Sequence, residues 1–150
     1  MAAKRDAIVT AVKTALDAAS VSGTTKPTGL NVYRMRERPI QTNDLPAIVI
    51  LLAGERPDRD ASNRTDRTLR IVLECRVEAG DTVADTALDA LLVWVVKAMM
   101  TDYTLGARVN NIVEGETTWD IEERADSIAA AMVEFEIMYQ TAYNDPESAG

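Results

Sequence analysis

The sequence contains no histidine. That removes the side chain that most often acts as a general base near neutral pH, the commonest zinc ligand, and every Ser-His or Cys-His nucleophile pair. Cys75 is its one cysteine, which excludes an internal disulfide and a cysteine metal cluster. The seven glycines are scattered singly, so no glycine-rich loop is available to cradle a phosphate. No apolar run approaches the ~20 residues that a bilayer span needs. The densest stretch, Ala87 to Met100, is interrupted by Asp89 and Lys97. Lys4 and Arg5 are not followed by the unbroken apolar segment of a secretion signal, so a protein made and kept in a cytoplasm is expected, with no membrane partner.

What is present is the composition of an ordinary folded domain. Hydrophobic residues make up 47% and charged residues 27% of 150, enough for one domain with one real core. The net charge of −8 is unevenly placed. Asn110 to Gly150 holds ten acidic residues and one basic, Arg124, whereas the rest of the chain is close to neutral. A protein with this balance does not grip phosphates by counterion release, so no specific nucleic-acid binding is expected.

Hydrophobic spacing divides the chain into elements. Ile8, Val12, Ala15, Leu16 and Ala19 recur at helical intervals and predict a helix over residues 3–20. Asn31 to Arg36 reads as a short strand, and Leu45 to Leu52, apolar at every position, as a strand buried on both faces. Gly54 to Arg67 carries eight charges in fourteen residues and reads as a long polar loop between strands. Leu69, Ile71, Leu73, Cys75 and Val77 are set to face in and Arg70, Glu74 and Arg76 to face out, the clearest strand signature in the chain.

A second helix follows, in which Leu88, Leu91, Leu92, Val95 and Met99 form one apolar stripe. Val83, Ala87, Ala90 and Trp94 form another beside it. An arc this wide predicts contact between subunits through those four residues. Two strands close the chain. In the first, Val113, Gly115, Thr117, Trp119 and Ile121 alternate with acidic or polar residues; in the second, Ala131, Val133, Phe135, Ile137, Tyr139 and Thr141 alternate with Met132, Glu134, Glu136, Met138 and Gln140. Residues 144–150 have little to bury and are expected to form a loose tail on an ordered core of 3–143. The expected fold is α+β: a mainly antiparallel sheet of four to five strands, two helices on one face, order α-β-β-β-α-β-β, one domain.

Candidate chemistry is thin. Asp58, Asp60 and Ser62 begin a calcium-loop spacing that then fails, with Asn63 in the glycine position and Leu69 in place of the final glutamate. Cys75 shares its face with leucines and valines, where it acts as a small hydrophobe. Glu114, Glu116, Glu134 and Glu136, at alternating strand positions, read as the wet face of a sheet rather than a catalytic acid–base pair. Arg56, Arg59, Arg64 and Arg67 form a candidate contact loop for another protein. No catalytic, cofactor or metal residue is assigned.

The layout resembles a known family. The N-terminal helix, Leu45-Pro46-Ala47-Ile48-Val49-Ile50, the strand Leu69 to Cys75, the helix with Leu88-Asp89-Ala90-Leu91-Leu92 and the closing strand Met132 to Thr141 come in the order of the tail terminator proteins of long-tailed bacteriophages, the lambda-type minor tail protein U group. The resemblance is one of layout and covers nearly the whole chain. It implies a virion protein of the tail neck, assembled in the host cytoplasm as a homo-oligomeric, hexameric ring on the last ring of tail tube protein. It implies an end to tube polymerisation, a surface for the head-tail connector, and DNA passing through the ring. No catalysis and no cofactor is implied. Glu114, Glu116, Glu134 and Glu136 would then be a DNA-repelling face. Two other readings are compatible with the residues: another neck or head-tail adaptor protein, and a small ligand-binding or enzymatic α+β domain.

Overall fold

The computed structural model describes residues 4–18, 21, 23–34, 45–59, 63–78, 84–106, 108–120, 128–142 and 145–149. Eight elements follow in order: α1 (Lys4–Ala18), β1 (Asn31–Arg34), β2 (Ala47–Arg59), β3 (Arg64–Glu78), α2 (Ala84–Thr101), β4 (Asn111–Asp120), β5 (Ile128–Ala142) and β6 (Asp145–Ala149). The fold is α+β, as its sequence predicts. The sheet runs β1-β2-β3-β5-β4, with β6 hydrogen-bonded to β5 off that path.

β3 and β5 form the spine, paired in antiparallel register along the length of both strands from Arg64↔Ala142 to Glu78↔Ile128. Their inward residues are the predicted ones. Leu69, Ile71, Leu73, Cys75 and Val77 of β3 and Ala131, Val133, Phe135, Ile137, Tyr139 and Thr141 of β5 are all buried. Both helices pack on that face, α1 through Ile8, Val9, Val12 and Leu16 and α2 through Leu88, Leu91, Leu92, Trp94, Val95, Ala98 and Met99. Ala47 and Val49, with Tyr33, Leu45 and Leu51, make a smaller apolar cluster on the other face. This two-sided burial explains why that strand lacks alternation in sequence.

Four features add to or depart from expectation, the first of them within the mainly antiparallel sheet that is expected. β1 runs parallel to β2, Asn31↔Ala47 to Arg34↔Ile50, so the sheet is mixed. Twelve residues separate the two strands, enough to carry the chain back to the same end. Second, the polar stretch 54–67 is largely strand. β2 and β3 extend through it, pairing out to Arg59↔Thr65. Periodicity fails there because β1 covers only the first four residues of β2, leaving its distal half as a sheet edge, where charged residues and Pro57 are tolerated.

Third, Asp145–Ala149 is not a loose tail but pairs with β5 at Thr141 and Ala142. β4 leaves β5 at Met138, and β6 occupies the end of the edge so vacated. Fourth, β4 does not alternate evenly: a bulge between Glu114 and Thr117 shifts its register.

Candidate assembly surfaces

A polar cluster ties α1 to the distal sheet. Glu55 stands on the helix side, opposite Leu69, with its side chain only 10% exposed. Its carboxylate accepts from Arg5 Nη1 of α1 at 2.8 Å, from Arg67 Nη1 at 3.1 Å and from the Tyr139 hydroxyl. Arg67 Nε also donates to Thr141 Oγ1 at 2.9 Å. Lys4 Nζ donates to the Gln140 carbonyl at 2.8 Å and lies 5.8 Å from the Tyr139 ring centre. Burial, and then the hydrogen bond to Glu55, push the Tyr139 phenol well above its ordinary value. Desolvation lowers the Lys4 ammonium. Every charge here faces a partner, and the arrangement fastens elements together.

The four arginines of the predicted contact loop therefore part company. Arg67 points inward and is spent on Glu55 and Thr141. Arg59 and Arg64 flank the hairpin end and already take part in interactions. Arg56 is exposed on the opposite face and, with Gly54, Glu55, Thr68, Arg70 and Glu136, lines a shallow hollow whose two acids balance its two arginines. Arg70 reaches over the edge strand at Gly54, its Nη2 3.9 Å from where a Cβ would stand. Leu52, 52% exposed, lies beside it on the helix side.

The predicted subunit-interface residues divide too. Val83 lies outside the described residues. Ala87 packs against the chain's own core, Ala90 is exposed, and Trp94 is fully buried. Trp94 corrects the expectation: its ring fills the space between sheet and helices, with Lys26 Nζ 5.8 Å from the ring centre. Its Nε1 has no hydrogen-bond partner among the described residues. The exposed apolar side of α2 is instead Val93 and Met100.

The acidic quartet is not one face. Glu134 and Glu136 alternate with buried Val133 and Phe135 and stand on the side away from the helices. Glu114 is opposite Phe135 and so faces the helix side, while Glu116 is exposed within the bulge. Gly115 makes the bulge possible: a Cβ there would sit 3.1 Å from the Glu134 carbonyl oxygen. A lone glycine inside a strand pattern is a bulge signal, and it was the available clue.

Between α2 and β4 the shifted register opens an apolar groove of about 330 Å³, lined by Asp89, Leu92, Val93, Val96, Lys97, Glu114, Thr117 and Trp119. Trp119 is 52% exposed, and Asp89 and Glu114 stand on opposite walls. Lys97 is drawn aside by a 3.0 Å hydrogen bond to Thr24 Oγ1. A second hollow, between α1 and the turn after α2, is lined by small α1 residues, Asp102 and Arg108. The Asp102 carboxylate there is occupied by Thr104 Oγ1 at 2.9 Å and the Gly106 amide at 2.8 Å, which hold its pKa down. Cys75 is wholly buried, and burial followed by the Glu74 charge pushes its thiol up to about 12, the opposite of an activated nucleophile.

The chain matches no protein-family model and no curated protein sequence. No described helix is long and apolar enough to cross a membrane.

Proposed function

We propose that this chain is a structural, non-catalytic subunit of a phage tail neck: a tail terminator that closes into a ring on the end of the tail tube, halts its polymerisation and offers a surface to the head-tail connector. Support comes from the layout over nearly the whole chain and from the surface chemistry. The observation that carries the reading is a sheet with two unlike open edges. One is the distal half of β2, where acidic and basic residues are balanced, the other the acidic β4 with its apolar groove. A subunit with different surfaces at its two ends is built to join head to tail, and such contacts close into rings when the rotation allows.

The test is tube length. Tail tube protein polymerised in the presence of the chain should give shorter tubes, each ending in a ring of extra density in electron micrographs. Tubes of unchanged length and bare ends would overturn the assignment.

A further inference from the structure

We infer that the open edge of β4 accepts an extended segment of another protein as an added strand, one that brings an apolar side chain to the α2–β4 groove and lysines or arginines beside it. Three observations carry this. First, β4 ends the strand order, and among the described residues no strand pairs with its outer side. Its bulge closes at Thr117, and regular pairing with β5 runs from there to Asp120, so this stretch is an ordered edge with main-chain groups to offer. Second, the groove that borders this edge on the helix side is apolar and open: Trp119 is 52% and Val93 41% exposed, and Val96 is only partly covered. A strand laid along β4 would turn every second side chain towards these three.

Third, charge selects the donor. β4 and β5 carry five carboxylates in their sequences and no lysine or arginine. Arg70 stands opposite Glu136, but Glu114 is opposite Phe135 and Glu134 opposite Val72. The groove adds Asp89, and its one cation, Lys97, donates to Thr24 Oγ1 at 3.0 Å. A basic strand therefore meets opposite charge here, whereas two β4 edges facing each other would oppose like charges. The distal β2 of a second copy, with acids and bases in balance, lacks the required excess.

The probe is a short capped peptide that alternates lysine and valine. It is titrated calorimetrically into the full-length parent chain and, by fluorescence, into full-length Trp94→Phe, whose remaining indole is Trp119. The peptide should bind, and Trp119 emission should move to shorter wavelength as it is covered. Two changes to the probe should each weaken binding by about tenfold or more: glutamate in place of lysine, and N-methylation of every peptide bond, which keeps the charges and removes the main-chain donors. Val93→Asp should weaken it as well, whereas attraction to net negative charge alone would grow in that variant. No binding by the parent chain, equal binding of the N-methylated peptide, or undiminished binding to Val93→Asp would overturn the site. So would a Trp119 already covered by a second copy that the peptide fails to displace. Tube length tests the ring reading separately and leaves this inference untouched.

Discussion

The Tyr139 hydroxyl donates to a carboxylate oxygen of Glu55 across 84 residues of chain, joining the C-terminal part of β5 to the edge strand β2 beneath α1. Arg5 and Arg67 bind the same carboxylate, so one side chain couples the N-terminal helix to three strands. The cluster holds the distal hairpin in line with the sheet.

Removing that carboxylate should therefore be costly. Glu55→Ala leaves the Arg67 cation, 13% exposed, without its counter-charge and with Thr141 Oγ1 as its remaining acceptor, and takes away the acceptor of the Tyr139 hydroxyl. The expected loss is about 3 kcal/mol. Glu55→Gln keeps an acceptor and should lose about 1–2 kcal/mol. Urea midpoints at unchanged slope measure both, and an alanine variant within about 0.5 kcal/mol of the parent contradicts this role.

Stability should fall on the alkaline side from two groups. A raised pKa in the folded state means that the folded chain keeps a proton that the unfolded chain releases earlier. The Cys75 contribution is whole below its ordinary value of 9.0 and is lost as pH rises to about 12. The Tyr139 contribution is whole below 10.0 and is lost at higher pH. Denaturant midpoints between pH 8 and 11 should decline, and Cys75→Ala and Tyr139→Phe should each flatten the decline. Unchanged slopes in both variants would contradict it.

Cys75 should also resist thiol reagents. With its side chain wholly buried, labelling by a maleimide should proceed only as fast as the chain opens, and should become rapid in urea. Fast labelling of the native protein would place Cys75 elsewhere than the core.

Gly115→Val should destabilise by roughly 1–3 kcal/mol, because its first carbon meets the Glu134 backbone oxygen at 3.1 Å and the Glu134 Cβ at 3.2 Å. Gly54→Ala, whose nearest neighbour is a flexible guanidinium at 3.9 Å, should stay within about 0.5 kcal/mol. Thermal melts of the two variants side by side decide the matter.

The two tryptophans should report opposite environments. Trp119→Phe leaves buried Trp94, with emission at short wavelength and little quenching by acrylamide; Trp94→Phe leaves exposed Trp119, readily quenched. A variant retaining only Trp94 that is quenched freely would return Trp94 to the surface.

Where one face of a strand is buried, sequence alone was enough. Leu69 to Val77 and Ala131 to Thr141 alternate because their odd positions all meet the helices, and the helix stripes of Ile8 and Leu88 answer them. Legibility failed where tertiary pairing overrides local composition. Pro57 and the charges around it look like loop, yet an edge strand accepts them. Trp94 looked available for an interface because a helix with apolar residues on two adjoining stripes does not reveal how far its own sheet wraps around it. The groove at Trp119 was hidden by two residues of bulge, which turned Glu114 towards α2 and broke the expected acidic face.

The most direct measurement is the mass of the protein in solution, by light scattering or native mass spectrometry, alone and with purified tail tube protein. The account predicts a closed hexameric ring, either free or formed on tube ends. A monomer or dimer that ignores tubes at high concentration would contradict it.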